Sequence, residues 1–139
     1  MSMHTIFLDS SIIFSAVYSP VGGSAKLFSL TNIKRITSTV VVTEVERNVR
    51  EKLTDIHLDR FFMLMKDVEI IAHTPDDKKI ALAKKVIVEK DAVILAEAKE
   101  SSATYVASLD LKHFFTDDVA RFIKPKKIVT PKKFFEIYD

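Results

Sequence analysis

The chain contains no cysteine, which excludes a disulfide framework and any zinc centre built on thiolates. Glycine is almost as scarce. Its two glycines both fall in Pro20-Val21-Gly22-Gly23, so that segment reads as a turn and no glycine-rich loop elsewhere can cradle a phosphate. No stretch approaches the roughly 18 apolar residues needed to span a bilayer. The opening apolar run at 6–8 is short, has no basic segment before it and is interrupted by Asp9, unlike a secretory leader. Together these absences lead to the expectation of a cytoplasmic protein. Net charge is also small, +2 from 21 basic and 19 acidic residues, so total charge names no partner.

What is present fits one globular domain spanning 1–139. A chain of 139 residues, 47% hydrophobic and 29% charged, can bury a single core without covalent help. Lysines are unevenly placed. Lys78, Lys79, Lys84, Lys85 and Lys90 share one central segment, and Lys124, Lys126, Lys127, Lys132 and Lys133 crowd the C-terminal region. Such clusters suit a polyanion and equally suit a solvated helix face.

Short apolar or β-branched runs at 4–8, 36–42, 68–72, 104–107 and 127–129 predict five strands. Helical patterns fill the intervals: 10–18 and 24–30 on either side of the glycine turn, a helix opening at Thr43 and running to about 53, and another from about 56. Thr43 with Glu46 three positions later has the form of a capping box. A further helix spans about 76–86, and Asp91 opens the nearly all-apolar stretch 92–98. Pro131 is suited to the first position of a last short helix. Strands alternating with helices predict an α/β fold with a mostly parallel sheet.

In such sheets ligands bind beyond the carboxyl ends of the strands, and acidic residues fall there. Asp9 follows the first predicted strand directly, and Asp110 follows the fourth across Ser108-Leu109. Glu44 lies in the first turn predicted after the second strand, where Thr43 and Glu46 leave it surplus to helix initiation. Asp91 joins them only if its helix points its N-terminus toward that edge. Each acid alone also suits a helix cap or first turn. Four converging carboxylates repel one another and raise their pKa values unless a cation is present. With no cysteine and no paired-histidine spacing, the donors favour Mg²⁺ or Mn²⁺ over zinc, and such ions promote phosphodiester hydrolysis.

The same residues resemble the PIN-domain (PilT N-terminus) nucleases, the family that includes VapC-type toxins. Phe7-Leu8-Asp9-Ser10-Ser11 is similar to the family's opening strand and acid, and Val42-Thr43-Glu44-Val45 to its second motif. The run Lys90-Asp91-Ala92-Val93-Ile94-Leu95-Ala96-Glu97-Ala98 resembles the third, and Thr104-Tyr105-Val106-Ala107-Ser108-Leu109-Asp110 the fourth. Ile128-Val129-Thr130-Pro131 looks like the closing strand and turn. The resemblance covers essentially the whole chain. It implies a PIN-like three-layer sandwich, a mostly parallel five-stranded sheet flanked by helices on both faces, and an Mg²⁺- or Mn²⁺-dependent ribonuclease whose catalytic and metal-binding residues are Asp9, Glu44, Asp91 and Asp110. It also implies a homodimer and, for toxin members, a small antitoxin partner.

One departure is Leu109, where the family usually has a small or basic residue. A further downstream acid is common in the family, and Asp117 or Asp118 could fill that role or cap the next helix, the cap being favoured. Ser11 and Ser108 could hydrogen-bond water or phosphate at the site, although serines beside strand ends more often satisfy backbone groups. His113 could shuttle protons but reads more readily as an exposed loop histidine, and Phe114 and Phe115 could stack bases but suit the core better. Two other functions compete with RNA hydrolysis. One is a non-catalytic PIN-like module that binds RNA or a protein. The other, phosphoryl transfer through an acceptor aspartate, is disfavoured because Asp9-Ser10-Ser11 lacks an Asp-x-Asp pairing.

Overall fold

The computed structural model describes residues 3–138. Five strands, β1 (His4–Leu8), β2 (Ile33–Ser38), β3 (Val68–Ile71), β4 (Tyr105–Ala107) and β5 (Lys127–Val129), form one sheet in the order β3-β2-β1-β4-β5. Every neighbouring pair is parallel, so each connection must cross back over the sheet. Helices make those crossovers. They are α1 (Ser10–Tyr18) and α2 (Gly23–Lys26), α3 (Thr39–Lys52) and α4 (Asp55–Met65), α5 (Asp77–Lys84) and α6 (Glu89–Glu100), and α7 (Asp117–Ile123); α8 (Pro131–Ile137) closes the fold. The result is the α/β architecture with a parallel five-stranded sheet that the alternating pattern predicts.

β1 is the central strand, and its Ile6, Phe7 and Leu8 are buried. Ile12, Ile13 and Val17 of α1, Val41, Val45 and Val49 of α3, and Ile94 and Leu95 of α6 join them in one core. Fully burying one such side chain contributes about 1.5–3 kcal/mol. From β1 the chain builds outward through β2 and β3, then returns to β1's other side for β4 and β5. The topological switch point therefore lies between β1 and β4, and the crevice beyond their carboxyl ends is where such sheets bind ligands.

The structure changes the reading of the second unit. The β-branched run predicted as strand 36–42 is strand only to Ser38, and Thr39 begins α3. Helix wins because Val41, Val45 and Val49 repeat every four residues and all are buried, so tertiary packing outweighs local β-propensity. The cap is Ser38, whose hydroxyl accepts the Val41 N–H at 3.2 Å. Thr43 lies inside the helix, where its hydroxyl donates to the Thr39 carbonyl at 2.9 Å, and Glu46 pairs with Arg50. The Thr43–Glu46 capping box is thus not formed, and Glu44 lies beyond the first turn. The predicted helix 24–30 shrinks to α2, and α6 begins two residues before Asp91.

Candidate active site

The carboxyl edge between β1 and β4 gathers residues from distant parts of the chain. Asp9 occupies the N-cap position of α1, but its side chain makes no capping hydrogen bond. Its Oδ2 instead accepts the Ser11 and Ser108 hydroxyls, each at 2.8 Å. Each serine then accepts a backbone N–H from the loop after β4: Leu109 donates to Ser11 at 3.0 Å and Asp110 to Ser108 at 3.1 Å. Asp9 is thereby fixed to the loop that carries Asp110. Leu109 does not disturb this arrangement, because its side chain is 41% exposed.

The direction of α6 follows from the sheet. α6 feeds the start of β4 at the amino edge, so its own N-terminus faces the carboxyl edge and carries Asp91 there in its first turn. Asp91 is 8% exposed. Its Oδ2 has no hydrogen-bond partner, since the nearest cation, Lys90 Nζ, is 3.8 Å away, beyond hydrogen-bonding reach. Burial pushes the Asp91 carboxyl up from its ordinary value; Lys90 opposes this, while Asp9 and Asp110 add to the rise. Asp9 is likewise pushed up by burial, against the two serine hydrogen bonds, and Glu44 adds to the rise.

Asp110 behaves differently. Burial alone would raise its pKa, but His113 outweighs that effect and holds it below the ordinary value. The His113 backbone N–H donates to Asp110 Oδ1 at 3.1 Å, and the imidazole Nδ1 lies 2.9 Å from Oδ2. Asp91, Asp110 and His113 each offer one ligand atom, and these atoms lie within 4.8 Å of one another. His113 is therefore half-buried against the acids, not an exposed loop histidine. An Asp with a His three residues on was visible in the sequence, but no local pattern showed that the turn after β4 would fold the imidazole back.

Glu44 is half-buried on α3 beside Thr43 and Arg47. It stands outside the close group of Asp91, Asp110 and His113 and reaches Asp9 through its charge. Asp117 and Asp118 are exposed in the first turn of α7. Neither caps it: Thr116 does, accepting the Val119 N–H at 3.2 Å, and Asp118 pairs with Arg121. Phe114 is core, as expected, and Phe115 packs against it.

The donor set fits a divalent cation. Asp91 presents a buried oxygen with no partner, desolvation disfavours its charge, and carboxylate oxygens with one imidazole suit Mn²⁺ and, through the oxygens, Mg²⁺.

A PIN domain family model matches residues 6–118, which include Asp9, Glu44, Asp91 and Asp110. No curated protein sequence matches the chain significantly. Several solved structures share its fold. VapBC2 from Rickettsia felis, bound to a promoter DNA fragment, has a TM-score of 0.67 at 16% identity, covering 91% of this chain and 98% of that one. A toxin–antitoxin complex from Klebsiella pneumoniae has a TM-score of 0.66 at 19% identity, with 91% and 97% covered. VapBC-1 from nontypeable Haemophilus influenzae has a TM-score of 0.61 at 17% identity, with 93% and 99% covered. With most of its length matched by the family model and its acids set beyond the sheet's carboxyl edge, the chain belongs to the PIN domain family.

Proposed function

We propose that the chain is a metal-dependent ribonuclease that hydrolyses RNA phosphodiester bonds and acts as the toxin of a toxin–antitoxin pair. The observation that carries this reading is Asp91 Oδ2, buried without a partner in a group with Asp110 and His113. A carboxylate kept in that state weakens the fold and is well explained by a cation that completes it. The fold shared with a toxin–antitoxin complex from Klebsiella pneumoniae supports the toxin role. The reading includes a small antitoxin partner and, as the family resemblance implies, a homodimer.

Asp91 and Asp110 would hold Mg²⁺ or Mn²⁺, with Asp9 and Glu44 completing the negative field around it. When bound, the ion supplies Lewis acidity to a water and to the phosphodiester. The protein contributes pre-organisation. Ser11 and Ser108 fix the orientation of Asp9, so no rearrangement is needed as charge develops. His113 holds Asp110 ionised and oriented.

The test is cleavage of a single-stranded RNA by purified protein with Mg²⁺ or Mn²⁺. Cleavage that EDTA abolishes, and that Asp9→Asn and Asp91→Asn each suppress by 100-fold or more, is the expected result. Intact, folded protein that cleaves no RNA with either ion overturns the reading and leaves a non-catalytic binding module in its place.

A further inference from the structure

The lysines of the central segment divide in the folded chain. Lys79 is tied to Glu100. Lys84 and Lys85, by contrast, line a groove of about 330 Å³ together with Val86, Ile87, Val88, Lys112 and His113. One wall is the turn between α5 and α6, and the other is the loop after β4. This brings together Lys85 and Lys112, which are far apart in sequence, beside the histidine that contacts Asp110.

The charge on this groove is largely uncompensated. Lys84 meets the exposed Glu89 at 3.4 Å. Among the described residues neither Lys85 nor Lys112 has an acidic partner. The wall between them is apolar, with Val88 40% exposed. Two ammonium groups without acidic partners, and a third paired only to an exposed glutamate, over an apolar wall that ends at a cluster of acids, suit a ligand that repeats anionic and apolar parts. A single-stranded polynucleotide has that character. A solvated lysine face has no reason to converge from two separate segments on the site's edge.

The geometry points to this groove as the track for the RNA backbone on one side of the scissile phosphate, with Lys84, Lys85 and Lys112 contacting phosphates. The inference rests on the ribonuclease reading for its ligand but not for its test. His113 stands where track and acids meet, so a strand lying on the lysines is led toward Asp110. Lysine contacts to phosphate carry no sequence information, so the groove sets affinity and register, not base choice.

The experiment is fluorescence polarisation of a labelled single-stranded oligoribonucleotide in EDTA, where binding is read without cleavage. The paired substitution Lys85→Glu with Lys112→Glu is compared with Lys52→Glu with Lys66→Glu. The latter makes the same charge change at the end of α3 and beside the groove lined by Met3 and Ile33 at the amino edge. The groove variant is expected to bind at least 10-fold more weakly, and its dependence of log K on log salt to flatten by about 1.4, or 0.7 per lysine. Lys85→Gln with Lys112→Gln should show a smaller loss in the same direction, while the control pair binds like the wild type. Equal binding by the groove and control variants overturns the assignment. So does a groove variant that keeps RNA affinity but loses binding to a glutamate-rich peptide. If the wild type binds through these lysines yet cleaves nothing with metal, the ribonuclease reading falls and the track stands.

Discussion

Ser108 donates its hydroxyl to Asp9 Oδ2 at 2.8 Å across 99 positions of sequence, and its own oxygen accepts the Asp110 N–H. One side chain thus ties the acid after β1 to the acid after β4. Ser108→Ala removes both contacts and leaves Asp9 with the Ser11 hydroxyl and the Ser10 backbone N–H. The expected loss is about 1.5–3 kcal/mol, the usual scale for a hydrogen bond to a charged group, measured by urea unfolding of metal-free protein. A loss below 0.5 kcal/mol, by the same scale, would mean the serine is not holding the acid.

Asp91→Asn should stabilise the metal-free protein while removing activity. The sign follows from linkage. Burial raises the Asp91 pKa in the folded state above its ordinary value of 3.8, so the folded form holds the proton more tightly than the unfolded chain. The penalty is absent below the ordinary value, grows as pH climbs from there to the raised value, and is complete above it. Thermal melts between acid and neutral pH should therefore show wild-type stability falling over that window more than the variant's does. Glu97, also buried and pushed up by burial, has an unpartnered Oε1 on the same helix. Glu97→Gln should stabilise the fold too, whether or not metal is present.

Divalent metal should reverse the effect of Asp91. Titrating Mn²⁺ or Mg²⁺ into the wild type is expected to raise the melting temperature, approaching about 2.7 kcal/mol of stabilisation at 100 times Kd, and EDTA should return it to the starting value. Asp91→Asn should lose most of this shift. A metal response of full size in Asp91→Asn would place the ion elsewhere.

His113 should influence which ion is preferred. It offers a nitrogen near oxygens of Asp91 and Asp110, and imidazole favours Mn²⁺ over Mg²⁺. His113→Ala is expected to weaken Mn²⁺ binding by about 10–100-fold, as loss of a ligand or its hydrogen-bonded support does, with a smaller effect on Mg²⁺. Calorimetric titration of both ions gives the ratio. An unchanged ratio would confine His113 to orienting Asp110.

The start of α3 is open to a simple comparison. Ser38→Ala should cost more than about 1 kcal/mol, the usual worth of an N-cap, because Ser38 accepts the Val41 N–H and also hydrogen-bonds the buried Glu97. Thr43→Ala should be nearly neutral, since its hydroxyl only bonds back to Thr39 within the helix. Chemical denaturation of the two variants separates them.

The alternation of strands and helices, and with it the α/β class, is written locally, because buried strands and amphipathic helices carry their own periodicity. The sequence also placed Asp9 and Asp110 just after strands, where a parallel sheet brings them to one edge. The boundary at Ser38 was not local: six β-branched or hydroxyl residues from Thr37 to Val42 favour strand until Val41, Val45 and Val49 are seen packed in the core. Three further features came from the tertiary structure. It turned α6 so that Asp91 faces the edge, it folded His113 back onto Asp110, and it brought Lys112 beside Lys84 and Lys85. These depend on crossover direction and on a turn packed against a distant helix, and neither leaves a signature in the spacing of nearby residues.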